Sequence, residues 1–150
     1  MLNKEFSIFT SSKLEVRKSK LHGVGVFAKE EIEEGEIIER QLAVPFATDS
    51  IEALIHQDHC RHILCDYAFS VPETDYSCIV MGLAMVYNHE NLPNTTYRWI
   101  GTPLDQTFLC EFFSLQKIKK DEEITHRYGP NVEFSSDGGW KHLSDPRVQP

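Results

Sequence analysis

YNHENLPN, residues 87–94, is the stretch on which the reading of this chain turns. It closes a ten-residue apolar run from Cys78 to Tyr87 and sets two polar residues, Asn88 and His89, where that run ends. Asparagine favours turns because its side chain bonds to nearby backbone, so a turn cap is one reading of the pair. The other is a binding role, since an amide and an imidazole offer donors and acceptors to a ligand. Pro93-Asn94 shapes the loop that follows and supplies a polar tie. The apolar run suits either a buried strand or a short core helix, which periodicity alone does not separate.

Upstream, the basic segment KLEVRKSK (13–20) leads into LHGVGVFA (21–28). Valines and Phe27 favour extended backbone there, while Gly23 and Gly25 mark a turn, a bulge or a close backbone approach. EEIEEGE (30–36) places Gly35 in a turn, and the glutamates from 30 to 39 read as a solvated surface. If they border a groove, they favour a basic peptide in it. IIERQLAVPF (37–46) predicts a strand ended by Pro45. Ser50 predicts the N-cap of a helix starting at Ile51, with Ile51, Leu54 and Ile55 on one face. His56, His59, Cys60, His62 and Cys65 follow. Their spacing fits no zinc signature and one helix cannot aim all five at one centre, so the reading is a polar helix face with buried cysteines and no metal.

Downstream, TFLCEFFSLQKI (107–118) is aromatic-rich and predicts a strand. The charged turn KKDEE (119–123) leads into a last short strand, EITHRY (123–128). Short strands joined by turns dominate, so the fold is expected to be mainly β with a few short helices.

Composition bounds the function. The chain has 150 residues, of which 41 are Leu, Ile, Val or Phe, enough for one core and too many for intrinsic disorder. Fifteen basic against 23 acidic side chains give a net charge of -8. That balance argues against direct nucleic-acid binding, which rests on neutralising phosphates. The apolar run at 78–87 is far short of the roughly 18 residues of a membrane span, and the N-terminus carries no sustained apolar region of a secretory signal. Four cysteines, at 60, 65, 78 and 110, form no CxxC pair. The expectation is a reducing intracellular compartment, the cytoplasm or, in a eukaryotic or viral setting, the nucleus.

Three blocks taken together resemble the SET domain of protein-lysine methyltransferases, and in particular its compact bacterial and viral members. Gly23-Val24-Gly25 matches the GxG that begins the domain. YNHENLPN resembles the family's NHSCxPN, keeping Asn88, His89, Pro93 and Asn94 at the same spacing. DEEITHRYG (121–129) is similar to GEELTxDYG, with Tyr128 at the catalytic tyrosine. Glu90 and Asn91 depart from the usual Ser-Cys, Arg127 stands where Asp is common, and no Cys-rich zinc segment follows. The resemblance covers residues 13–129 of a single domain spanning 1–150. It implies short twisted sheets in a β-clip arrangement, with a C-terminal pseudoknot that ordinary connection rules would not suggest.

The same resemblance implies methyl transfer from S-adenosylmethionine to a lysine of a protein or peptide. Gly23, Val24, Gly25, Asn88 and His89 would hold the cofactor, the last two partly through backbone. Residues 130–150 would close its site, with Trp140 stacked on the adenine. Tyr128 would align the reacting groups, because a phenol with a pKa near 10 is a poor base at neutral pH. Tyr97, three residues after Asn94, would join it. Tyr67, Tyr87, Tyr97, Phe112 and Phe113 are candidate walls of a lysine channel, against the plainer reading of aromatics as core. A homodimer stays open. So do two rival functions: a catalytically silent SET-like peptide-binding module, and a non-SET β-clip protein with a structural or carbohydrate-binding role.

Overall fold

The computed structural model describes residues 7–50 and 67–128, together with the backbone of two strands at 132–134 and 140–142. Its hub is β4, Ile37–Ala47, the longest strand. The first half of β4 lies between β1 (Phe9–Thr10) and β9 (Leu109–Ser114), and the second half pairs with β6 (Tyr76–Val80). β8 (Thr95–Ile100) extends this sheet beyond β9, and β5 (Ala68–Ser70) extends it beyond β6. All of these pairings are antiparallel.

A second, four-stranded sheet is built from β2 (Leu14–Lys18), β3 (Val24–Ala28), β10 (Glu123–His126) and β7 (Asn88–His89), in that spatial order. β11 (Val132–Phe134) pairs antiparallel with β12 (Trp140–His142), with Phe134 opposite Trp140. Between the two larger sheets Val26, Ile38, Val80, Tyr87, Phe112 and Ile124 are fully buried. Burial of each such side chain is worth roughly 1.5–3 kcal/mol.

The mainly β expectation holds, and four local readings change. The run 78–87 is both of its alternatives in turn: β6 ends at Val80, Gly82 turns the chain at φ 89°, and Leu83–Val86 form a 3-10 helix. Pro45 does not end its strand. β4 has lost β9 as a neighbour after Leu42 and pairs on one side only, so a missing N–H is tolerated there. Residues 48–50 are already helical, so Ser50 is not the N-cap; Thr48 leads the helix, its amide donating to Asp75 O at 2.9 Å. The predicted helix face beyond it and the His/Cys cluster at 56–65 lie outside the described residues.

The fourth change concerns the glutamates. Glu30, Glu31, Glu33 and Glu34 are exposed as expected, whereas Glu39 is completely buried. A register shift between Ile37 and Glu39 breaks the strand's alternation and turns Ile38 and Glu39 inward together. Four donors meet the carboxylate: Thr10 Oγ1 at 3.1 Å, Gln41 Nε2 at 3.0 Å, the Leu83 amide at 2.7 Å and the Tyr87 hydroxyl at 2.7 Å. Glu111 is also fully buried, opposite Arg40 on β4 and Arg98 on β8, and both guanidiniums bond to it. No helix among the described residues is long and apolar enough to cross a membrane.

Candidate active site

β10 carries the last sequence block into place. It runs antiparallel to β3 and parallel to β7, which sets Thr125 beside Asn88 and His126 beside His89. The Asn94 side chain acts on β10 as a substitute strand. Its amide nitrogen donates to Glu123 O at 2.7 Å, and its Oδ1 accepts from the Thr125 amide at 2.9 Å. Thr95 Oγ1 adds a bond to Thr125 O at 2.7 Å. With its main chain held in this way, β10 delivers Tyr128 beside His89.

Two bonds then fix the tyrosine. Its amide donates to His89 Nδ1 at 3.0 Å, and its hydroxyl donates to the main-chain oxygen of Tyr87 at 2.5 Å. His89 Nδ1 accepts the Tyr128 amide, and its Nε2 faces Asn91 Oδ1 at 3.2 Å. Asn91, a departure from the family pattern, is thus the side-chain neighbour of His89 Nε2. Burial, then the nearby Tyr67 and Glu123, push the Tyr128 phenol up to about 12.

The glycine block lies on the other side of β10 from β7. Gly23 has φ 49° and open space where a side chain would stand, so it serves the turn. Gly25 is different. A Cβ there would lie 2.1 Å from Glu123 Oε1 and 3.0 Å from Asn88 Nδ2. Asn88 Nδ2 itself donates to Glu123 Oε1 at 2.7 Å, Val24 O at 3.0 Å and His22 O at 3.1 Å. Its amide nitrogen is thus spent within the protein, as are both ring nitrogens of His89. What the site offers a ligand at this edge is mainly backbone.

Beside Tyr128 lies an aromatic cluster. Phe69 meets Tyr97 edge-on at 5.3 Å, Tyr97 lies 5.3 Å from Phe112, and Tyr87 meets Phe112 edge-on at 5.2 Å. The His126 ring stacks on Phe69 at 5.4 Å and sits 4.8 Å from Tyr128. Burial, followed by the neighbouring His89, holds His126 down to about 3, and its Nδ1 is buried without a hydrogen-bond partner. Tyr97 is raised to about 12 by burial. Burial and the Glu39 carboxylate raise Tyr87 further.

The structure therefore gathers Gly25 of β3, Asn88 and His89 of β7 and Tyr128 around β10, with Tyr87, Tyr97 and Phe112 packed behind them. Tyr67 is exposed just before β5, near the Tyr128 phenol. Phe113 does not join: successive strand residues face opposite ways, and Phe113 lies under the Arg98 guanidinium on the other side of the sheet. Trp140 is placed only by its backbone in β12. Sequence reasoning missed Glu39, Glu123 and His126. The sequence carried no signal for the first: alternation puts Ile38, Leu42, Val44 and Phe46 on one face and Glu39 with Gln41 on the other, and only the structure shows Glu39, Gln41 and Ala43 facing inward.

Comparison with known proteins identifies the family. A family model described as the SET domain matches residues 23–129. A histone-lysine N-methyltransferase of Schizosaccharomyces pombe, specific for H3 lysine-37, is 26% identical over 140 residues, covering 93% of this chain and 86% of that protein. A Plasmodium falciparum crystal structure assigned as a histone methyltransferase superposes with a TM-score of 0.60 at 27% identity, covering 79% of this chain and 95% of that one. The Chaetomium thermophilum polycomb repressive complex 2 in an autoinhibited conformation bound to S-adenosylmethionine shares the fold at 23% identity, with a TM-score of 0.64. That match covers 80% of this chain and 15% of that one.

Proposed function

The chain belongs to the SET-domain family and is a protein-lysine N-methyltransferase, and from that premise we propose that it moves a methyl group from S-adenosylmethionine to a lysine in a basic protein segment. The observation that carries the reading is the parallel pairing of β10 with β7, which puts the Tyr128 phenol on the Tyr87 carbonyl, next to Asn88 and His89. The residues present fit the cofactor. Gly23 and Val24 are exposed, with open space beside Gly23, and the segment 22–25 is tied to Asn88 on β7 through the His22 and Val24 carbonyls. Trp140 is our proposed cover for the adenine. When bound, S-adenosylmethionine supplies an electrophilic methyl group on a sulfonium.

The protein's own part is to bring a free amine to that methyl in line. Lysine in water is neutral in only about one molecule in a few thousand at pH 7. A channel walled by Tyr67 and Tyr97, with Tyr87 and Phe112 buried in the core behind it, would desolvate the ammonium and lower its pKa. Tyr128 cannot serve as the base, since its phenol stays protonated at neutral pH. Its single proton is engaged by Tyr87, so the hydroxyl oxygen turns its lone pairs to the amine N–H and orients it. Tyr97 would set the room around that nitrogen.

Charge supports the substrate class. The chain carries -8, with exposed carboxylates at Glu30, Glu33 and Glu34, and a relative bears the name of a histone H3 lysine enzyme. The test is transfer of tritium from labelled cofactor to histones, ribosomal proteins and lysate, with calorimetry of the cofactor alone. Labelled lysine in a protein is the expected result. No binding at millimolar cofactor would end the reading.

A further inference from the structure

Glu123 ends in a place that no ligand is needed to explain. Its carboxylate accepts from Ser19 Oγ at 2.9 and 2.8 Å and from Asn88 Nδ2 at 2.7 Å, and so joins two segments 69 residues apart in sequence. Ser19 in turn organises the turn that follows it. Its amide donates to Gly23 O at 2.9 Å, and its hydroxyl oxygen accepts from the Leu21 amide at 2.9 Å and the His22 amide at 3.3 Å. Asn88 closes the other side through the carbonyls of His22 and Val24. The loop 19–25 is thus clasped at both ends by one carboxylate on β10.

From this geometry we infer that Glu123 is a positioning residue for the cofactor, holding the glycine loop and Asn88 in fixed relation so that their main-chain groups present one surface. The inference rests on the methyltransferase reading for what the loop receives. The clasp itself is visible without it. Gly25 supports the assignment. The space its missing Cβ leaves is filled by the Glu123 carboxylate, so the glycine admits the clasp at this point. Removal of the carboxylate would leave the Ser19 hydroxyl and the Asn88 amide without their shared acceptor, and the loop tied to β7 only through the His22 and Val24 carbonyls.

The experiment compares wild type, Glu123→Ala, Glu123→Gln and Ser19→Ala by hydrogen exchange without cofactor, by calorimetry with S-adenosylmethionine, and by kinetics at saturating cofactor. Glu123→Ala should speed exchange across 19–25 while β8 and β9 stay protected. It should weaken cofactor binding by about tenfold or more, with kcat at saturation within about threefold, since one charge-assisted clasp is lost and the tyrosine is untouched. Glu123→Gln keeps an acceptor oxygen and should recover most of the affinity. Ser19→Ala, at a half-exposed position, should show the same pattern more weakly. Unchanged exchange in 19–25 in both Glu123→Ala and Ser19→Ala overturns the clasp. Faster exchange with unchanged affinity overturns its role in positioning. If wild type itself fails to bind, the methyltransferase reading falls and takes the positioning role with it, while exchange still judges the clasp.

Discussion

The Tyr128 hydroxyl and the Tyr87 main-chain oxygen are 2.5 Å apart, and the Tyr87 hydroxyl in turn donates to buried Glu39. A carboxylate three strands away in sequence order from Asn88 thus fixes the residue on which the tyrosine of the last block leans. Glu39 also takes the Leu83 amide, the first N–H of the 3-10 helix that leads to Tyr87. The acceptor for Tyr128 is held by the core, not by a loop.

Glu39→Ala should therefore destabilise the protein by about 3–5 kcal/mol, because it strands several buried donors at once. Tyr87→Phe removes only one of the four donors and should cost about 1–2 kcal/mol. Urea unfolding measures both. A cost for Glu39→Ala below that of Tyr87→Phe would mean the carboxylate is not the anchor.

Gly25→Ala should cost about 1–3 kcal/mol, since the new methyl overlaps the Glu123 carboxylate and the Asn88 amide. In a Glu123→Ala background the methyl has room, so the added cost of Gly25→Ala should shrink, giving a coupling of about 0.5–3 kcal/mol in a double-mutant cycle. Additive costs would show that the glycine answers to something other than Glu123.

Much of this was legible in the sequence because it depends on local pattern. Turn residues at Gly23 and Gly35, the strand at 109–114 and the polar tie at Asn94 all follow from short-range chemistry. Glu39 and Glu123 were not legible: strand alternation placed Glu39 on the face opposite its apolar neighbours, and each is held by partners far along the chain, Tyr87 for the first and Ser19 and Asn88 for the second. Pro45 misled because its strand loses a neighbour only in the assembled sheet. Phe112 and Phe113 looked equivalent until the strand's alternation assigned them to opposite faces. Asn88-His89 carried both readings at once, as a structural tie and as the edge of the site.

His126 predicts a pH dependence. Its ordinary value near 6.5 falls to about 3 in the fold, chiefly from burial among Phe69, Tyr97, Phe112 and Tyr128, with His89 adding to it. Between those values the unfolded chain binds the extra proton, so stability is full above about 6.5 and is lost as pH falls, at up to roughly 1.4 kcal/mol per pH unit from this residue. Glu39 works in the opposite sense. Burial raises its carboxyl, so its contribution favours low pH and cannot account for the loss. His126→Phe should flatten the decline between pH 6.5 and 4.5 in urea unfolding. A decline as steep as wild type would assign acid sensitivity elsewhere.

The phenol of Tyr128 gives the most direct test of the chemistry. Tyr128→Phe deletes one oxygen and keeps the ring beside His89 and His126. The amide bond from residue 128 to His89 Nδ1 is main chain and survives the change, so the fold of the edge should persist. Cofactor affinity should change little, because the loop 19–25 and Asn88 are held from Glu123. Turnover should fall by at least about 100-fold, the scale of losing one positioned polar group from a transition state. Tyr97→Phe makes a useful contrast. That hydroxyl lies in the cluster rather than on the Tyr87 carbonyl, so its loss should alter the number of methyl groups added, as read by mass spectrometry, with a smaller effect on the first transfer. Wild-type turnover in Tyr128→Phe would make the Tyr128–Tyr87 bond a structural contact and leave the alignment of the amine to another group.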